Sequence, residues 1–262
     1  MSSQLLAIHP EEEKKAIVDF LKATFKKQQI TKAVIGISGG IDSATSFALL
    51  KETLKPEDIH VVHMYYLESK FEIMEQFIKN ATIPDENIHH ISIKQPVDAM
   101  IELQNIEPTD ENKIRIGNIA ARMRMIILFD LAKKHKALVC GTENKSENLL
   151  GYFTRFGDQA SDIEPIEHLY KTQIIQLAKH LGLPEDVITQ APSAGLWKGQ
   201  TDEGQFGFTY EEADIVLYLF LEKNVSIGEI EKRGHLHAKK IIEWREKNLF
   251  KHNTPYTITK KN

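Results

Sequence analysis

The sequence predicts an α/β fold, a doubly wound parallel sheet with helices on both faces. Two observations carry that prediction. Short apolar runs at Ala33–Ile37, Ile59–Leu67 and Ala137–Gly141, the first of them continuous, suit strands buried on both sides. Amphipathic helical stripes lie between them, the alternation expected of parallel strands joined by helical crossovers. A length of 262 residues fits one large α/β unit, so residues 1–262 are expected to form a single domain.

In chain order, Ala16, Ile17, Phe20, Leu21, Thr24 and Phe25 recur at spacings of three and four, predicting an opening helix from about Glu11 to Gln28. The first strand ends in Ser38-Gly39-Gly40, and a helix follows over Asp42–Glu52. After the second strand come a helix near Lys70–Lys79, a polar stretch at Pro84-Asp85-Glu86-Asn87 and a short strand at Ile88–Ile93. The longest helical signal spans Gly117–Lys134, with Ile119, Met123, Ile126, Ile127 and Leu131 along one face. Beyond the next strand, Glu143–Pro165 is polar and punctuated by glycine, which predicts irregular loops of the kind that carry chemistry. A helix at Lys171–Leu181 stops at Gly182 with Pro184 beyond. Further helices are expected at Glu211–Leu221, Ser226–Lys232 and His235–Lys247, and Lys260-Lys261 reads as a frayed end.

Composition narrows the function classes. Thirty-three basic against 37 acidic residues leave a net charge of −4 with no long run of one sign, which argues against a nucleic-acid or membrane-surface footprint. The single cysteine, Cys140, can form no internal disulfide and reads as a small buried hydrophobe. No apolar run approaches the roughly 20 residues of a membrane span, and the N-terminal region turns acidic at Glu11-Glu12-Glu13. A cytoplasmic location is therefore expected. His89-His90 and His235-x-His237 lack the helical i, i+4 spacing of paired imidazole ligands, and they read as surface or packing residues.

Ser38-Gly39-Gly40-Ile41-Asp42-Ser43 joins a buried strand to a helix, where converging N–H groups and the helix dipole favour an anion. Glycines admit phosphate close to the backbone, and the hydroxyls of Ser38 and Ser43 add donors. No Gly-Lys-Ser/Thr ending makes it a Walker A loop. Asp42 facing phosphate calls for an intervening divalent cation, expected to be magnesium; the plain alternative is Asp42 as the helix N-cap. Arg122 and Arg124, two residues apart, cannot share one helix face, so one is expected at a ligand and the other elsewhere. Thr142 and Glu147 follow the strand ending at Gly141, where open α/β sheets bind ligands.

SGGIDS is the signature of the PP-loop ATP pyrophosphatases, whose fold is that of the adenine nucleotide alpha hydrolases. With Gly117-Asn118-Ile119-Ala120-Ala121-Arg122-Met123-Arg124-Met125, Gly141-Thr142-Glu143-Asn144-Lys145-Ser146-Glu147, Gly151-Tyr152-Phe153-Thr154-Arg155-Phe156-Gly157-Asp158, Leu169-Tyr170-Lys171-Thr172 and Pro192-Ser193-Ala194-Gly195-Leu196-Trp197 through Glu203, the chain resembles the ammonia-dependent NAD synthetase family from about Val34 to Tyr210. The resemblance implies ATP-dependent amidation of deamido-NAD by ammonia through an adenylated intermediate, giving NAD, AMP and pyrophosphate. It implies that Gly36, Ile37, Ser38, Gly39, Gly40, Ile41, Asp42, Ser43, Thr142, Lys171 and Ser193 bind ATP. Asp42 and Glu147 would hold Mg2+, with Asp42 and Lys171 catalytic. Arg122, Arg155, Asp162 and Lys251 would bind deamido-NAD, and Tyr152 and Phe153 offer rings either to stack on nicotinate or to pack in the core or a dimer contact. Homodimers are common in the family, which makes the Gly117–Lys134 helix a candidate interface.

The chain departs from the family pattern in three places. Arg155 replaces a frequent Lys, Ser193 and Gly195 stand where Thr and Asp are common, and Phe250-Lys251 stands for a His-Lys pair. A fused glutaminase needs at least about 50 residues, whereas about 32 precede the first strand, so free ammonia or a separate protein is expected to supply nitrogen. The other readings are the same chemistry on nicotinate mononucleotide and, in a different class, a PP-loop tRNA-modifying enzyme. The segments near Pro84–Asn87 and Trp197–Phe208 are expected to act as lids that keep water from the intermediate.

Overall fold

The computed structural model describes residues 5–66, 71–193 and 199–258. Helix α1 (Pro10–Gln28) opens the chain with Pro10 in its first turn, Glu11, Glu12 and Glu13 at its positive end and Lys26 and Lys27 at its negative end. Then come β1 (Lys32–Gly36), α2 (Ile41–Lys51), β2 (Ile59–Tyr65), α3 (Glu72–Asn80), β3 (Ile88–Ser92), α4 (Lys94–Leu103), α5 (Lys113–His135) and β4 (Ala137–Cys140). The second half is helical: α6 (Lys145–Leu150), α7 (Lys171–His180), α8 (Glu185–Thr189), α9 (Asp202–Phe206), α10 (Tyr210–Leu217), α11 (Ile227–Lys232) and α12 (Ala238–Asn248).

All strand pairs are parallel, in the order β3-β2-β1-β4. Side-chain alternation divides each strand between two cores. Ala33, Ile35, Ile59, Val61, Leu138 and Cys140 pack with α1, α2 and α7, while Val34, Val62, Met64, Ala137 and Val139 pack with α4 and α5. The doubly wound reading of the sequence holds, because strands covered on both faces need no polar alternation. A third apolar cluster, built on Phe206, Tyr210, Val216, Leu217, Ile241 and Ile242, joins the C-terminal helices to α6. Cys140 is 1% exposed, and burial pushes its thiol pKa up, as a packing residue requires.

Chain order places the site. β1 is central, β2 and β3 lie on one side of it and β4 on the other, so the loops leaving β1 and β4 part in opposite directions. The crevice between their carboxyl ends is where doubly wound sheets bind ligands.

Four expectations are corrected. The Glu143–Pro165 stretch is not wholly irregular: Asn144 caps α6, accepting from Glu147 N at 3.0 Å while the Glu147 side chain accepts from Asn144 N at 3.3 Å. The long helix begins at Lys113 rather than Gly117. Helix α4, unforeseen, buries Val97 alone, so its apolar stripe is too thin to read. Pro84–Asn87 leads into the amino end of β3 and is held by Asn87 Nδ2 donating to Glu57 O at 2.9 Å, the wrong end of the sheet for a lid. Gly195, Trp197 and Lys260-Lys261 lie outside the described residues. In the described part of Trp197–Phe208, Gln200, Asp202, Phe206 and Phe208 are buried while Gly199, Thr201, Gly204 and Gly207 are exposed.

His63 on β2 is stacked on Phe71, rings 3.7 Å apart and 4° from parallel, and burial lowers its pKa from 6.5 to about 4. Between those values the unfolded chain takes up a proton that the native protein refuses, so this contribution is complete above pH 6.5 and is lost as pH falls toward 4. Urea unfolding at pH 7 and pH 4.5 is expected to show an acid-induced loss of stability about 2 kcal/mol smaller in His63→Gln than in the parent.

Candidate active site

The loop after β1 is folded upon itself. Gly39 adopts φ +94°, open to glycine at little cost, and this lets the chain turn sharply into α2. Gly40 N donates to Ser38 Oγ at 3.2 Å, and Ser43 Oγ donates to Gly40 O at 3.0 Å. The N-cap of α2 is Gly40, with no side-chain cap, so Asp42 is free of the capping role. Its carboxylate instead points across the crevice. Asn144 Nδ2 donates to Asp42 Oδ1 at 3.0 Å, and Lys171 Nζ donates to Asp42 Oδ2.

Lys171, the first residue of α7, is 3% exposed and also faces Glu147 Oε1 at 3.7 Å. Burial alone would deprotonate it, but the charges of Asp42 and Glu147 outweigh that and raise its pKa, so the ammonium persists. Glu147 shows the converse. Burial and the neighbouring Asp42 charge push its pKa up to about 8, against the opposing pull of Lys171. Two inward carboxylates share one ammonium, an arrangement that a further cation would relieve. Carboxylate oxygens from the first turns of two helices suit magnesium, so this donor set fits such an ion.

A second ring of residues holds these in place. Asp214 on α10, wholly buried, accepts from Ser146 Oγ and from Thr172 N and Oγ1, the latter two at 2.9 and 2.8 Å. Ser146 Oγ in turn accepts from Lys171 N at 2.8 Å, tying α6, α7 and α10 behind the ammonium. Tyr210 lies under Lys171 Nζ, 5.4 Å from the ring centroid, and donates to Asp202 at 3.2 Å. Asn144, Asp202, Tyr210 and Asp214 were not anticipated as supports. Asn144 carried a readable signal, since Asn at the start of a helix with Glu three residues on is a capping box.

Thr142 follows β4 at the same edge, beside Glu143, whose pKa burial and the Glu147 and Glu164 charges push up to about 10. The outer residues are more dispersed. Arg122 Nε donates to Arg155 O at 3.3 Å, and Arg124 Nε donates to Met64 O at 3.4 Å at the carboxyl end of β2. Arg155 lies over Phe250, 5.2 Å away, and Lys251 Nζ donates to Gly151 O and Phe153 O at 2.6 and 3.1 Å. The chain end thus folds over the Gly151–Arg155 loop. One carboxylate oxygen of Asp162 accepts from Val139 N at 2.8 Å, which closes the free edge of β4. Ser193 Oγ donates to Gln200 O at 2.8 Å. Of the two readings of the aromatic pair, the structure shows packing. Tyr152 packs edge-on against Phe206 at 4.5 Å, its hydroxyl shared between Asp202 Oδ1 and Gln205 Oε1 at 3.1 and 2.9 Å, and Phe153 is 7% exposed.

Family comparison agrees with this geometry. The family model described as NAD synthase matches residues 13–255. The chain belongs to the NAD synthase family. It is 42% identical over 218 residues to the NH(3)-dependent NAD(+) synthetase of Fusobacterium nucleatum subsp. nucleatum, 83% of each chain. Among solved structures, the NMN synthetase of Francisella tularensis superposes with a TM-score of 0.80 at 31% identity, covering 96% of this chain and 99% of that one. The NH3-dependent NAD synthetase of Campylobacter jejuni, solved with nitrate, gives 0.74 at 30% identity over 96% and 100%.

Gly141 has a packing reason to be glycine. A Cβ there would stand 1.8 Å from Glu164 Oε1, a carboxylate that accepts from Ser161 Oγ at 2.7 Å and Glu143 N at 3.1 Å. Gly141→Ala is expected to cost on the order of 3 kcal/mol in chemical denaturation, because Glu164 must leave those donors unpaired or the strand end must shift.

Proposed function

We propose that the chain catalyses ATP-dependent amidation of deamido-NAD by ammonia, giving NAD, AMP and pyrophosphate. The observation that carries this is the Lys171–Asp42–Glu147 cluster at the switch point of the sheet, built from the same loops that carry the family motifs. The names of the curated relatives supply the nitrogen source and the product.

The nicotinate carboxylate is already ionised, so an oxygen can attack the α-phosphorus without a general base as the bond to pyrophosphate breaks. Ammonia then adds to the acyl carbon, AMP leaves with the bridging oxygen, and the nitrogen sheds a proton to leave the amide. Backbone N–H groups and hydroxyls of Gly36–Ser43 would cradle the phosphates, with Thr142 and Ser193 on the rim. Lys171 stands ready to neutralise charge gathering on pyrophosphate, a contribution largest in the transition state. Asp42 and Glu147 would hold Mg2+, which supplies positive charge between carboxylates and phosphates. Arg122, Arg155, Asp162 and Lys251 would bind deamido-NAD. This chemistry belongs to a cytoplasmic enzyme with small-molecule partners and no nucleic acid or membrane surface; among the described residues, no helix is long and apolar enough to cross a membrane.

A second reading, the same reaction on nicotinate mononucleotide, is favoured by the superposition on the Francisella NMN synthetase. Mass-spectrometric product analysis with ATP, Mg2+ and ammonium, offering both acids together, decides between them. Formation of NAD and AMP at a rate at least about 100-fold above the Asp42→Asn control is expected; preferential formation of nicotinamide mononucleotide would replace the main reading with the second.

Dimerisation through α5 is part of the same proposal, supported by Ile114 and Ile126 on that helix, each 54% exposed. Ile126→Glu is expected to shift the protein from dimer to monomer in sedimentation analysis, and an unchanged dimer would move the interface elsewhere.

A further inference from the structure

The amino ends of the strands, remote from the phosphate loop, hold a cluster that the amidation chemistry does not use. His60 is the second residue of β2 and His89 the second of β3, and both point to the sheet face covered by α5. His135 ends α5 two residues before β4. The rings of His60 and His135 lie 3.8 Å apart, His60 and His89 5.8 Å, and His89 and His135 6.0 Å. One nitrogen from each ring falls within 4.8 Å of the others, and among the described residues this is the one metal-capable group of three.

The nitrogens have nothing else to do. Both ring nitrogens of His60, which is 3% exposed, and Nε2 of His89 and His135 are buried with no hydrogen-bond partner. Leaving such groups unpaired costs about 1–3 kcal/mol apiece, so three converging orphans call for a common partner. Burial, and the neighbouring Lys134 charge, lower the pKa of all three, to about 4 for His60, so each keeps a lone pair at neutral pH.

We propose that His60, His89 and His135 bind one borderline divalent transition-metal ion, Zn2+ in the first instance, as a structural clip. Three imidazoles and a solvent ligand make a tetrahedral zinc shell, and His89 and His135 are only partly buried. Nitrogen ligands about 2.0–2.1 Å from zinc stand roughly 3.4 Å apart in a tetrahedron, so His60 and His135, now stacked 29° from parallel, must turn their rings for the nitrogens to converge on one ion. Hard magnesium, which prefers oxygen, is excluded by the same donor set. The clip would pin the last turn of α5 to β2 and β3, joining the covering helix to the sheet at the end opposite the active site.

The test uses the full chain, freed of any affinity tag and of metal, titrated with Zn2+. Equilibrium dialysis with elemental analysis should find one Zn2+ per chain, and Co2+ in its place should give the intense visible absorption of a tetrahedral nitrogen site. At a hundredfold excess over Kd, Tm should rise by roughly 5 °C or more. His89→Gln and His135→Gln, both at half-exposed positions and verified as folded by circular dichroism, should each abolish stoichiometric uptake and the rise in Tm. They should leave ATP-dependent amidation intact. Asp42→Asn should bind Zn2+ undiminished, so failure of the amidation reading and failure of the clip are separable. No stoichiometric uptake by the parent, or uptake unchanged in both histidine variants, overturns the proposal.

Discussion

A lysine ammonium that is 3% exposed is the constraint around which this structure is arranged. Water solvates an ammonium far better than a protein interior does, so Lys171 stays charged only because Asp42 and Glu147 stand against it. Those partners come from the first turns of α2 and α6, about a hundred residues apart in sequence, one helix following β1 and the other following β4. Neutralising the lysine therefore requires β1 and β4 to be neighbours with their carboxyl ends at one edge, and the strand order provides that. The carboxylates carry a mutual repulsion that the lysine offsets in part, which leaves the crevice receptive to a cation and polyphosphate together.

Around the ion cluster, hydrogen bonds divide the labour. Asn144 both caps α6 and orients Asp42, so one side chain fixes the position of two carboxylates, its own helix carrying Glu147. Asp214 has a different task. It anchors Ser146 and Thr172 from below, where burial lifts its pKa to about 6 and the donated hydrogen bonds work against that rise. A network of this kind is rigid only when every member is satisfied, which explains why it spans α6, α7 and α10 rather than one element.

The sheet has two chemically different ends. Loops at the carboxyl end carry glycines, hydroxyls and charges because converging backbone N–H groups and helix N-termini can meet an anion there. At the amino end the side chains serve packing, and the three histidines stand out by having ring nitrogens and no partners. The polar turn at Pro84–Asn87 has the composition of a lid, yet it feeds β3 at this second end. Composition marked it as a loop but could not say which edge of the sheet it served.

The central strands, the glycine loop and the helices that flank it were legible in the sequence, because a strand buried on both faces is largely apolar and a tight turn into a helix needs glycine at Gly39. Family motifs likewise brought out Asp42, Glu147 and Lys171. Helix α6 was hidden, since six residues offer too few turns for a periodic stripe and only its Asn144 cap betrays it. Other questions belonged to tertiary structure alone. Whether Tyr152 faces ligand or core depended on where Phe206 and Asp202 came to rest, and they drew it inward. That His89 meets His60 and His135 could not be read from spacing, because the three sit on two strands and a helix end that only strand pairing brings together. Local pattern is set by what each residue can bury or turn; partnership across the chain is set by strand order, which no short segment encodes.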